Sequence, residues 1–200
     1  MDQNPIFDQL TAELRGDSAV GLLLAVQLGQ SPRELRAIVR TNTIRPGGAQ
    51  PIHDYLITMR NMLEHQVTLG VFDSIALYDD HILLQHHNAA SYRLFISGTA
   101  EYPDAALDAL EDAYVDMFGG WRPSIFDSPD KLIRVLTTGF GTLGEMPEPF
   151  ARRASAILTE QRVPNNLVVA RPALDPPLKL LMVDAAYFVA FRFEFECLSS

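Results

Sequence analysis

Five histidines, His53, His65, His81, His86 and His87, are the side chains of this sequence best suited to hold a metal ion or move a proton near neutral pH. Their spacing limits what they can do. His86 and His87 are adjacent, and in a strand running from Ile82 they point to opposite faces, so one ion cannot take both. His81 and His86 differ by an odd number of residues and face opposite ways in a regular strand too. His53 and His65 read as helical, where twelve residues span about 18 Å. H-E-x-x-H spacing is absent, so the histidines are expected to be surface or half-buried polar residues, with no metal and no cofactor.

Gly139-Phe140-Gly141-Thr142-Leu143-Gly144 matches G-x-G-x-x-G, which between a strand and a helix would cradle a pyrophosphate. The context argues otherwise. Ser128-Pro129 caps a helix ahead of it, Pro147 and Pro149 delay any helix behind it, and no acid stands about 20 residues on to meet a ribose. The expectation is a flexible glycine-rich connection between two helices, with Gly139, Gly141 and Gly144 as its pliable points.

Acids are concentrated without bases between Glu101 and Phe118, where Asp104, Asp108, Asp112 and Asp116 recur every four residues along one stripe. Like charges at this spacing cost roughly 0.2–0.5 kcal/mol per pair, and only the first gains from the helix dipole. Two readings stay open: a solvated face, or a docking surface for a basic partner such as Arg33, Arg36 and Arg40 of a second copy. A calcium site is disfavoured, because such loops use turn glycines and carbonyl oxygens. Nucleophile elbow, P-loop, paired-thiol and kinase patterns are missing. Trp121, beside Arg122 and Pro123, reads either as an exposed anchor or as folding back on the preceding helix.

The elements that must position these residues follow from periodicity. Asn4-Pro5 starts a helix carrying Phe7, Leu10 and Leu14 on one face, with Gly16 as its stop. Ala19 to Leu28 is apolar nearly all round and reads as a buried helix or strand, with helix favoured. Ser31-Pro32-Arg33-Glu34 is a capping box that predicts a helix from Pro32 to about Arg40. Thr41 to Pro51, with Pro46, Gly47 and Gly48, is a loop. Ile52, Tyr55, Leu56, Met59, Leu63 and Val67 then recur at helical spacing up to Gly70.

The period next changes to two. Ile75 to Leu77, Ile82 to His87 and Tyr92 to Ser97 read as three strands of an antiparallel meander turning at Asp79-Asp80 and at Asn88 to Ser91. Helices are predicted from Pro103 to Gly119-Gly120, after Ser128-Pro129, and from Phe150 to about Gln161. Leu167 to Ala170 and Lys179 to Val183 return to strand, and Tyr187 to Cys197 alternates as one long strand with a wet face. The order of three strands, an amphipathic helix and a second capped helix over Phe72 to Thr138 resembles the latter half of longin or roadblock-type domains, which implies an adaptor that dimerises.

The 200 residues, 48% of them apolar, are long enough to bury a sizeable core. Together these readings give a single α+β domain, 1–200, divisible into a helical segment 1–70 and a sheet-plus-helix segment 71–200. Its helical N-terminal third packs with an antiparallel sheet of about five strands. A net charge of −9 disfavours nucleic acid as a primary partner. The lone Cys197, Asp2 where a leader would be basic, and apolar runs no longer than Ala19 to Val26 predict a cytoplasmic protein with no membrane span. The expected function is a non-catalytic interaction or assembly subunit whose partner is another protein or another copy, using the acidic helix face and the edge of the last strand. The alternative is a small enzyme or ligand-binding protein using histidines on the sheet under a glycine-rich lid.

Overall fold

Asn4 caps the first helix as its sequence predicts: its Oδ1 accepts from the N–H groups of Ile6 and Phe7 at 3.1 and 3.2 Å. Helix α1 (Pro5–Glu13) follows, with Leu10 fully buried. The computed structural model describes residues 4–15, 19–43, 52–119 and 129–198. Of the loop expected over Thr41 to Pro51, residues 41–43 are the end of a strand, because they pair with residues 19–21, and residues 44–51 lie outside the described residues, as do the stop at Gly16, Trp121 and the cap at Ser128.

Beyond α1 the N-terminal region is mostly strand, which corrects the helical reading of residues 1–70. Strands β1 (Ala19–Leu28), β2 (Leu35–Thr43) and β3 (Ile52–Arg60) pair antiparallel in succession. Each error has a local cause. The all-round apolar character of Ala19 to Leu28 fitted either state, and long-range pairing chose strand. At Ser31 to Glu34 the backbone makes a tight turn, with Arg33 at φ 60° and Glu34 N–H donating to the Ser31 carbonyl at 3.1 Å. Glu34 does reach back toward the N–H of Gln30, as a capping acid would, yet the chain turns into a hairpin. In β3 the helical spacing was coincidental. Tyr55, Ile57 and Met59 are the fully buried residues, a period of two that includes Ile57, which the helical pattern omits.

The meander is corrected likewise. His81 caps helix α2 (Ile82–Asn88), its Nδ1 accepting from Leu83 N–H at 3.2 Å, and adjacent Leu83 and Leu84 are both buried. With a helix in place of the middle strand, the longin or roadblock order is lost. The long C-terminal strand is two strands, β11 (Ala186–Ala190) and β12 (Arg192–Cys197), which belong to different sheets. Every residue of β11 is buried, so it has no wet face.

The remaining strands are β4 (Glu64–Gln66), β5 (Gly70–Phe72), β6 (Ile75–Tyr78), β7 (Ser91–Ile96), β8 (Gly141–Pro147), β9 (Asn165–Arg171) and β10 (Lys179–Val183). Helices α3 (Pro103–Phe118), α4 (Pro129–Thr138) and α5 (Glu148–Glu160) stand within two residues of where their prolines and periodicity put them. Among the described residues three antiparallel sheets form, of orders β12-β3-β2-β1-β5, β4-β11-β10-β6 and β8-β7-β9, in an α+β fold. The chain divides into two compact units, 1–80 with 176–200, and 81–175.

In the first unit the five- and four-stranded sheets contribute to one core: Val39, Tyr55, Ile57 and Met59 from one, Leu181, Phe188 and Ala190 from the other, with Leu10 of α1. Strands cross between the sheets at three places, β3 into β4, β5 into β6 and β11 into β12. In the second unit, the core gathers Leu94 and Ile96 of β7, Leu110 and Tyr114 of α3, Leu136 of α4 and Phe150 and Leu158 of α5. Arg171 closes the C-terminal end of α2, donating to the carbonyls of His87 at 2.8 Å and His86 at 3.1 Å.

Gly21 in β1 sits under the Phe72 ring of β5, so a Cβ there would overlap the ring. Gly21→Ala is expected to lower stability by about 1–3 kcal/mol, seen as a lower urea midpoint with an unchanged slope.

Candidate functional site

A gathering of chemically capable side chains in the first unit lies where the last turn of α1 meets the inner face of β2 and β3. Thr41 and His53 are register partners on neighbouring strands, and Tyr55 follows His53 on the same face of β3. Glu13 arrives from above. Its Oε2 accepts from Thr41 Oγ1 at 2.5 Å, and its Oε1 accepts from His53 Nδ1 at 2.7 Å and Gln9 Nε2 at 3.1 Å. The Tyr55 hydroxyl is buried beside the Glu13 carboxylate. Cys197 of β12 is the register partner of Tyr55 on its other side.

The electrostatics follow from burial. Desolvation works against the Glu13 carboxylate, but the interactions led by Thr41 and Gln9, with Tyr55 and His53, outweigh it and hold the carboxyl below its usual value. Desolvation and the neighbouring Glu13 charge both push the Tyr55 phenol up, so it stays protonated. Chemically this is a carboxylate that fixes the orientation of one imidazole, with a hydroxyl on each side. It is also the tie that holds the end of α1 to the sheet.

A second polar cluster runs along the opposite face of the five-stranded sheet. Glu34, 3% exposed, meets Arg36 at 2.9 Å and Arg60 at 3.1 Å. Arg60 also meets Glu194 at 2.9 Å, and Glu194 meets Arg192 at 3.1 Å. Burial works against the Glu34 carboxylate, yet the Gln30 N–H and the two arginines hold it below its usual range. Arg40 and Asp54 add a two-pronged pair at 2.7 and 2.8 Å.

Two histidines, His53 and His65, belong to the first unit and three, His81, His86 and His87, to the second. His53 is on β3 and His65 on β4, strands of different sheets, which replaces the single helix expected for them. His81 caps α2, and the His86 ring packs on Phe118 and Tyr114 with centroids 4.6 and 6.2 Å away. Among the described residues no group of three or more His, Cys, Asp or Glu is placed to hold a metal ion. No helix among them is long and apolar enough to cross a membrane.

Asp104, Asp108, Asp112 and Asp116 do line the exposed face of α3, opposite buried Leu107, Leu110 and Tyr114. Among the described residues only Asp116 of the four meets a cation, Arg153 of α5 at 2.9 Å. The three glycines are not a connection between two helices. Gly139 ends α4 at φ 70°, and Gly141 and Gly144 stand in β8, paired with β7, at φ 147° and 127°. A helix precedes these glycines and a strand contains two of them, the reverse of the nucleotide-binding order. Sequence reasoning missed Glu13 with Thr41 and Tyr55, which only the register of β2 on β3 brings together.

Glu13 binds its proton less tightly when folded, so its contribution is present above its ordinary value of 4.5 and is lost as pH falls through the lower folded value. Glu13→Gln is expected to cost about 1 kcal/mol at pH 7 and to flatten the acid limb of Tm against pH relative to the parent. A limb that keeps its slope in the variant would assign acid lability elsewhere. Comparison of the chain with protein-family models, with curated proteins and with solved structures finds no match.

Proposed function

We propose that this protein is a non-catalytic interaction or assembly subunit of the cytoplasm, with α3 as its docking face. The observation that carries the reading is the exposed row Asp104, Asp108 and Asp112, which keeps its mutual repulsion without a cation among the described residues to offset it. Such a row costs the isolated chain stability and is relieved by a basic protein surface. The partner is a protein of opposite charge, since the acidic average surface disfavours a phosphate backbone.

A second copy is a weaker candidate for this face than the sequence suggested. Arg40 is committed to Asp54 and Arg36 to Glu34, which leaves Arg33 of the three arginines. The edge of β12 supports assembly by a separate route. Among the described residues it pairs only with β3, so one side of its backbone is open to strand addition. In β9, another edge strand, Val168 and Val169 are 46% and 58% exposed.

The alternative reading, a general-base enzyme, is favoured by the Glu13–His53 pair, since a carboxylate that fixes an imidazole tautomer is how such bases are oriented. The interaction reading is preferred because Glu13 already ties three separate side chains and anchors α1.

Asp108→Asn with Asp112→Asn separates docking from solvation. The variant is expected to raise the stability of the isolated chain by roughly 0.5 kcal/mol and to weaken association, whose strength in the parent falls with added salt. Association measured by light scattering that is indifferent to both salt and the substitutions would sink the docking face.

A further inference from the structure

Beside α1, the first unit contains an open cleft of about 580 Å³ where β12 diverges from β10 and β6. Phe191, Phe193 and Phe195 form one apolar wall and Leu77 of β6 another, with Ile6 of α1 above. Two cations stand with them, Lys179 and Arg192, and among the described residues no acid lines the cleft. That composition is unlike the rest of a chain whose net charge is −9. It is also a volume within the roughly 300–1,000 Å³ that small-molecule clefts occupy.

Both cations of the cleft keep hydrogen-bond donors beyond the one carboxylate each meets. Lys179 meets Asp79 at 3.2 Å, an ammonium with three hydrogens and one such partner. Arg192 is the last member of the chain of ion pairs that runs through Glu194, Arg60, Glu34 and Arg36. Among the described residues Arg192 is paired through its Nε alone, to Glu194, and stands at the rim of the cleft. An apolar body laid against the phenylalanine rings would bury apolar surface, while an anionic head would take the unused donors of Arg192 and Lys179.

We propose that this cleft binds an amphipathic organic anion, an apolar chain or ring system carrying one carboxylate or sulfonate. The assignment does not depend on the docking role of α3, which lies in the other unit. The experiment uses the full chain with 8-anilinonaphthalene-1-sulfonate as fluorescent probe, decanoate as competitor and decanol as the uncharged control. The expected result is saturable binding at one site, with decanoate displacing the probe at least tenfold more effectively than decanol. Amide NMR shifts caused by decanoate should centre on Ile6, Leu77 and Phe193.

Lys179→Gln with Arg192→Gln is expected to weaken probe and decanoate about tenfold or more while leaving decanol unchanged. Both side chains are exposed, so the fold is expected to survive, as an unchanged Tm would verify. Arg153→Gln, on α5, serves as the charge control and should change nothing. The proposal is overturned by unsaturable probe binding, by decanol competing as well as decanoate, by shifts centred away from the cleft, or by a double variant that binds as the parent does.

Discussion

The first unit depends on strands that leave one sheet and enter the other. Two antiparallel sheets can bury their apolar faces only by facing each other, and a chain short on connections does so most simply by letting a strand bend across. Here β3 passes into β4 beside Asn61, held at φ 51°, while β11 passes into β12 at Phe191, and the two bent strands remain partners on both sides of the bend. Leu63 N–H donates to the Val189 carbonyl at 2.9 Å within that corner, so the ladder continues through it. On the far side β5 passes into β6, where the Asp184 carboxylate accepts from Asp73 N–H at 2.8 Å and from Ser74 N–H at 3.0 Å. Each fully buried large side chain between the sheets contributes on the order of 1.5–3 kcal/mol, so the corners are what make Tyr55, Ile57, Met59 and Phe188 a shared core.

This construction leaves one side of the core to α1. Phe7 stacks near Phe195 with centroids 4.8 Å apart, Leu10 enters the core, and Glu13 fastens the other end to Thr41 and His53. A nine-residue helix has little stability of its own in water. Its presence therefore reports the pocket it fills, and the polar cluster at its end acts on the fold before it acts on any substrate.

Helices with a start signal, a stop signal and an apolar stripe in agreement were legible, and segments with only one of these were not. Helix α1 was legible because Asn4 and Pro5 settle its start within a few residues, and α3 because Pro103, Gly119 and its apolar stripe agree. The strands β1 to β3 were not, since what makes them strands is pairing with residues far along the chain, β12 with β3 above all. Leu, Met and Tyr at mixed spacings admit either period, and tertiary context decides. The same distance hid the polar cluster. Glu13, Thr41 and His53 are each unremarkable in sequence, and only the hairpin register puts the last two side by side. The acidic stripe, by contrast, lies within one helix, so its exposure could be read directly. Arg36 and Arg40 could not be, because their carboxylates come from a turn and a neighbouring strand.

The division of the chain has a consequence for biosynthesis. Residues 81–175 are contiguous and hold every strand and helix of their own core, so they can fold as soon as they leave the ribosome. The other unit is interrupted: β3 is translated well before β12, its neighbour in the sheet, and β6 well before β10. Until the later strands emerge, the apolar faces of β1 to β3 stay open on a nascent chain. Pairing over such separations is slow, because the loop must close before the contacts can form.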